Sequence, residues 1–290
     1  VHAHGAQAAL VVRLALRRLP TAERPVVVVT LHTLPTGGPR LRGRSLQGVK
    51  RLVLHVSQHL ADPGERYVAV SSAVAQAWQS EMHLGAERFV IIPNALAPDL
   101  LERGQRRLNQ LQRGERHGLG QPVDESGRLS DAGNAFDSSD AARSDYVGSS
   151  PNTAVRLGFS GRLVTDKGLD LLLEAVSILR RRGRAVELDI LGAGPAARTL
   201  QRQATDFGLT DSMRWLGWSD DPWPMMAAWD VIVVPSRTEA QGRVALEAMA
   251  LGVPLVASEA GGLAELVAPE DEGEVAWRLP RLTADALAAV

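Results

Sequence analysis

The sequence predicts an α/β protein with two doubly wound, parallel-sheet domains, the first of them incomplete. Three observations carry that reading. Val26-Val27-Val28-Val29-Thr30-Leu31-His32 and Val231-Val234 are nearly unbroken apolar runs, as strands buried on both faces require. Strand-like runs alternate with helical patterns over 1–98 and again over 154–290, the mark of repeated βα units. Between these blocks the composition changes. Residues 99–153 carry runs such as Asp124-Glu125-Ser126-Gly127-Arg128 and Asp137-Ser138-Ser139-Asp140 with few large apolar side chains, too little to offset the entropy of ordering. That segment is expected to be a flexible linker or insertion with a short helix near 101–111.

Taken in order, Ala, Leu and Arg from Ala6 to Leu19 make a helix that Pro20 ends. The strand 26–32 follows, then a short strand Tyr67–Val70. Ser71 or Ser72 then caps a helix over 73–82. Phe89–Ile92 is a third strand, closed by Pro93-Asn94. In the second block, a strand over 155–159 leads into Ser160-Gly161-Arg162. A helix over 169–182 shows apolar spacing at Leu169, Leu172, Val176 and Leu179, and Gly183 stops it. Strands over 186–191, 213–216, 231–234 and 254–257 alternate with a helix to about Phe207, a Trp-rich helical segment and a helix carrying Glu247.

With 290 residues, two domains are the expected number. A formal net charge of −1 argues against a dedicated nucleic-acid binder. No cysteine is present, which excludes disulfides and thiolate metal sites. No apolar run approaches the ~18 residues of a membrane span, so cytoplasmic residence with at most peripheral contact at the inner membrane face is expected. The chain starts without Met and stops within an apolar helix-like pattern, and reads as a fragment at both ends.

In parallel α/β sheets ligands bind in the loops at the carboxyl ends of the strands. Those loops hold the candidate residues. Glu239 and Glu247 are separated by seven residues, the first in a strand-to-helix loop and the second about one turn inside the helix. Between them lie the backbone N–H groups of Gly242, Arg243 and Val244 at a helix N-terminus, an anion-binding element. A carboxylate among Leu246, Ala248 and Met249 needs partners, which ribose hydroxyls would supply, although an exposed helical glutamate is the plainer alternative. Gly242 lets a ligand approach the backbone. Arg162 and Lys167, bounded by Gly161 and Gly168, suit a pyrophosphate; ordinary surface charge is their alternative. Gly192-Ala193-Gly194-Pro195 reads as a tight βα turn near a nucleotide rather than a dinucleotide fingerprint. His32, at the end of a buried strand, faces a sugar or phosphate or is a satisfied structural histidine.

Other features read more plainly. His2 and His4 share one face of a strand-like N-terminus. His55 and His59 have helical spacing but no further zinc ligand, and fit a solvated helix face. Trp215, Trp218, Trp223 and Trp229 fit a core cluster. The basic run Arg40, Arg42, Arg44, Lys50 and Arg51 fits an anionic acceptor, lipid head groups or a solvated loop.

Several pieces occur in the order of one family. They are Gly161-Arg162-Leu163 with Lys167-Gly168, Gly192-Ala193-Gly194-Pro195, Asp230 to Ser236, the Glu239/Glu247 segment running to Pro254, and Gly261-Gly262 with Glu265. His2-Ala3-His4-Gly5 and Thr30-Leu31-His32 match more loosely. The chain resembles the retaining glycosyltransferases of family 4, whose GT-B fold sets two Rossmann-like domains across a cleft.

The resemblance implies hexosyl transfer from a nucleotide sugar (UDP-, GDP- or ADP-linked) to a lipid-linked or small-molecule acceptor, without a cofactor or metal. It implies that Arg162 and Lys167 hold the donor diphosphate, and that Glu239 with the backbone of Gly242 to Val244 holds sugar and phosphates. Glu247 would take the ribose, and His32 would reach the donor sugar. Gly161 and Gly194 line the donor side. Gln241 stands where the family often has an aromatic residue. The family's first strand, its glycine-rich loop and its last crossing helix are not in this chain. A non-catalytic nucleotide-sugar-binding protein and a sugar-nucleotide epimerase relative are the competing expectations.

Overall fold

The described strands, all parallel, form two sheets. In the computed structural model, residues 1–35, 56, 57, 59–113, 154–267 and 276–290 are described. The chain divides into two compact units, one of Val1–Ala95, Thr238–Arg243 and Glu259–Ala268, the other of Leu96–Arg237, Val244–Ser258 and Pro269–Val290.

In the first unit, β1 (His2–His4), β2 (Val28–Leu31), β3 (Arg66–Ala69) and β4 (Phe89–Ile91) lie in that order. Val29, Leu31, Tyr67 and Ala69 supply the buried face of the sheet. Helix α1 (Ala6–Leu16) ends a turn earlier than its composition suggests. Its last residues turn back through bonds such as Leu19 N to Leu16 O at 3.0 Å before Pro20, which cannot continue the ladder. Helix α2 (Ser72–Met82) is capped by Ser71, whose hydroxyl accepts from Val74 N at 3.1 Å. Strand β2 stops at Leu31, leaving His32 exposed just beyond it.

In the second unit, β5 (Val155–Ser160), β6 (Val186–Leu191), β7 (Met213–Gly217), β8 (Val231–Val234), β9 (Leu255–Ser258) and β10 (Ala276–Leu279) take the order β10-β9-β8-β5-β6-β7. Strand order reverses between β5 and β8, the switch point where doubly wound sheets open a crevice. Helices α4 (Leu169–Arg181) and α5 (Ala197–Asp206) bury Leu169, Leu172, Leu173, Val176, Leu200 and Ala204 in one core with Phe159, Leu188 and Ile190. Short helices α6 (Trp223–Ala227), α7 (Arg243–Ala250), α8 (Leu263–Leu266) and α9 (Ala284–Leu287) follow in the second half of the chain.

The helix expected near 101–111 is α3, Pro98–Gln112, and it belongs to the second unit. Pro98 starts it in a position where no N–H is missed. Gly104 lets it approach Ala250, whose carbonyl oxygen lies 1.8 Å from where a Cβ would stand. Buried Arg107 donates to the carbonyls of Ala227, Gly252 and Trp229, satisfying loop oxygens that the fold removes from water. The rest of the 99–153 segment, from 114 on, lies outside the described residues. So do His55 and the basic run Arg40, Arg42, Arg44, Lys50 and Arg51.

Candidate functional site

The loop leaving β5 is built by close backbone approach. Gly161 N donates to Leu191 O at 2.9 Å and Leu163 N to Ala193 O at 2.9 Å, tying it to the loop leaving β6. A Cβ at Gly194 would lie 2.4 Å from Leu163 O, so the small residues of Gly192-Ala193-Gly194 make room for this loop. Leu163, buried, pins its centre, while Arg162 stays exposed beside it. A single 3₁₀ turn, Thr165–Lys167, then carries Lys167, which is half-buried. Gly168 takes φ +69° and packs onto Pro235, the first residue after β8, where a Cβ would meet the carbonyl oxygen at 1.8 Å. Arg162, Lys167, Gly161 and Gly194 are therefore brought together at the carboxyl ends of β5 and β6.

Arg237, which sequence reasoning passed over, locks this turn. Its backbone N donates to Asp166 O at 2.8 Å, and Nη1 donates to Thr165 O at 2.7 Å. The guanidinium also forks onto the Asp170 carboxylate. Only the three-dimensional adjacency of β5 and β8 makes it visible.

Past β8 the chain enters α7, with exposed Arg243 and half-buried Val244 in its first turn. Glu247, 5% exposed, lies one turn in, so the alternative of an exposed helical glutamate does not hold. Gly242 has φ +89°, and a Cβ there would meet Leu263 Cδ1 at 2.6 Å. The left-handed backbone already favours glycine there, ligand or not.

In the first unit, residues 238–243 and 259–267 fold against β-strand ends and α2. Glu239, half-buried, accepts at its backbone oxygen from Gly262 N at 3.2 Å. Ser71 Oγ donates to Ala240 O at 2.5 Å. Glu265 accepts from Ser72 N at 3.0 Å and Ala73 N at 2.7 Å, a carboxylate on the positive end of α2. Gln241 is 5% exposed, and its Oε1 accepts from both the backbone N and the Nδ2 of Asn94, at 2.8 and 2.5 Å. Gln241, standing where the family often has an aromatic residue, is thus committed to Asn94.

His32 stands at the end of β2, exposed, with His4 Nδ1 3.1 Å from its Nε2. Partial burial, then the charge of His4 and of His2, holds its imidazole below the ordinary histidine range. Among the described residues, no three His, Asp or Glu side chains are arranged to hold a metal ion, and no helix is long and apolar enough to cross a membrane.

The tryptophans divide. Trp229 is buried, with its indole N–H on Asp189 at 2.9 Å, and Trp215 packs on the core. Trp218, expected in the core, is 64% exposed, because it follows the end of β7 at Gly217 and only its Nε1 is engaged, on Asp220.

Residues 1–100 match the family described as Glycosyltransferase Family 4, and residues 154–290 match Glycosyl transferases group 1. The two matched segments are those of a family-4-type glycosyltransferase, and the two parallel-sheet α/β units fit the GT-B fold. The lipopolysaccharide core biosynthesis glycosyltransferase LpsE of Rhizobium meliloti is 41% identical over 102 residues, 35% of this chain and 29% of the relative. A GDP-mannose-dependent alpha-(1-6)-phosphatidylinositol monomannoside mannosyltransferase of Mycolicibacterium smegmatis is 41% identical over 123 residues, 39% of this chain and 32% of that protein. The chain spans about a third of the length of these curated relatives. Among solved structures, HepE of Anabaena in complex with UDP and glucose matches with a TM-score of 0.68 and 22% identity, over 99% of this chain and 66% of that one, a likeness of fold.

Proposed function

We propose that the protein containing this chain transfers a hexosyl group from a nucleoside-diphosphate sugar to an acceptor hydroxyl with retention of anomeric configuration. The observation that carries this reading is the Arg162–Lys167 loop at the switch point, leaving a strand adjacent to the one that leads into the helix of Glu247. Two cations there match a diphosphate whose charge grows as the glycosidic C–O bond breaks. Glu247, buried on α7, takes the ribose hydroxyls. The backbone N–H groups of Gly242, Arg243 and Val244 take phosphate oxygens, and Glu239 orients sugar hydroxyls. His32 reaches the donor sugar. The leaving phosphate accepts the acceptor hydroxyl's proton as the new bond forms on the same face, so no metal or enzyme nucleophile is assigned a step. A nucleotide-sugar donor and a lipid-linked or small-molecule acceptor suit action on the cytoplasmic side of the inner membrane. The GDP-mannose dependence of one relative and the UDP and glucose bound in one neighbour support a nucleotide-sugar donor.

The test is turnover of UDP-, GDP- and ADP-hexoses by the intact enzyme, with the product's anomeric configuration read by NMR. One donor class is consumed and its configuration kept. Arg162→Ala and Lys167→Ala lower turnover by roughly 10²–10³-fold, the scale of losing one preorganised charge contact. An inverted product, or turnover untouched by both substitutions, contradicts the reading.

A further inference from the structure

β1 and β2 run parallel in the register His2↔Val28, Ala3↔Val29, His4↔Thr30. Alternate residues share a face, so His2 and His4 on one strand meet Thr30, and then His32 beyond its end, on the other. The contacts follow that row. His2 Nε2 lies 2.6 Å from Thr30 Oγ1, the His2 and His4 rings are 4.4 Å apart, and His4 Nδ1 meets His32 Nε2 at 3.1 Å. The His4 and His32 rings are nearly parallel, 11° apart.

An N···N contact at this distance holds one hydrogen: one ring donates and the other accepts. Two imidazolium rings would set two N–H groups head to head, so the doubly charged pair is excluded while the bond lasts. Each neutral imidazole carries a single N–H. Whichever role Nε2 of His32 plays toward His4, its Nδ1 must therefore take the opposite one. The bond ties the tautomer of His32 to that of His4 and fixes the ring plane.

We propose that His4 is a positioning residue for His32, presenting Nδ1 of His32 to the donor sugar in one tautomer and one orientation. This rests on the role given to His32 under the proposed function. The row is not a metal site, since no three such side chains among the described residues are placed to hold an ion. Partial burial and the charges of His4 and His2, both on β1, favour the neutral form that the tautomer argument needs.

The test uses the intact enzyme labelled with ¹⁵N, reading the His32 ring nitrogens in wild type, His4→Ala and His4→Asn, with donor turnover measured on each. Asparagine keeps a polar atom near the position of Nδ1. In wild type, His32 holds its proton on a single nitrogen and titrates below the ordinary range. His4→Ala mixes the tautomers, moves the titration upward and lowers kcat roughly three- to tenfold with donor KM unchanged, the scale of one lost hydrogen bond. His4→Asn restores the single tautomer and most of kcat. An unchanged His32 spectrum and titration in His4→Ala overturns the positioning role. Turnover unaffected by His32→Ala overturns the donor-sugar role instead, so the two failures are read on different variants.

Discussion

Arg237 grips Asp170 with two parallel bonds, Nη1 to Oδ1 at 2.7 Å and Nη2 to Oδ2 at 2.6 Å, while the same Nη1 reaches Thr165 O. The fork closes over the turn that carries Lys167 and raises the Arg237 pKa further above its already high value, first through the hydrogen bond to Asp170. Both side chains are about a third exposed, so the pair contributes only about 1 kcal/mol to stability. Its larger effect is on geometry. Arg237→Lys keeps the charge and loses the fork, and is expected to cost about 1 kcal/mol by denaturant titration. Turnover should fall roughly tenfold or more as Lys167 is displaced. Equal losses in both measurements would mean that the clamp is only structural.

Gly168 is fixed twice, by φ +69° and by the Pro235 carbonyl 1.8 Å from any Cβ. Gly168→Ala is expected to lower stability by roughly 2–4 kcal/mol, combining left-handed strain with backbone displacement. Calorimetry checks this, and a loss under about 1 kcal/mol would show that the β5 and β8 loops part easily.

A buried ion pair anchors α1 in the first unit. Arg13 bonds both oxygens of Glu65, at 2.8 and 2.6 Å, and also reaches Ser57 and the Tyr67 hydroxyl; the two charged side chains are 5% and 0% exposed. Arg13→Met alone leaves a buried carboxylate unpaired and is expected to cost about 3–5 kcal/mol. Arg13→Met with Glu65→Leu should recover most of that loss, because no uncompensated charge remains. Urea unfolding of the three proteins distinguishes these outcomes.

His32 gives stability a pH dependence. Its folded pKa lies below the ordinary value of about 6.5, so at pH 7.5 the ring is neutral in both states. As pH falls through about 6.5 the unfolded chain binds the proton first, and stability declines until the lower folded value is passed. The contribution is present above the ordinary value and lost below the folded one. Melting of wild type and His32→Asn between pH 7.5 and 5 should show a shallower decline in the variant. Parallel curves would contradict the assignment.

Most of the strands were legible because unbroken apolar runs such as 231–234 admit few other readings, and Val231–Val234 forms as expected. The β10 strand was not read, since Ala276-Trp277-Arg278-Leu279 has its two central residues exposed and lacks both an apolar run and an alternation. Within the candidate site, the positions of Arg162 and Lys167 in a loop and of Glu247 on a helix were legible because loop position after a strand is readable from periodicity. Arg237, Gln241 and His4 act through partners 67, 147 and 28 residues away, and no local pattern encodes those meetings. The glycines of Gly192-Ala193-Gly194 were visible as a turn. Their packing against the backbone of Gly161 and Leu163 was not.

Nucleoside diphosphate binding by the Arg162–Lys167 loop and the helix of Glu247 is measured by calorimetric titration of UDP, GDP and ADP into wild type, Arg162→Ala and Glu247→Ala. One nucleotide should bind the wild type, and each substitution should weaken it by roughly tenfold or more, the scale of a lost charged hydrogen bond, with melting largely retained in Arg162→Ala. Binding of equal strength in all three proteins would mean that neither residue holds the nucleotide.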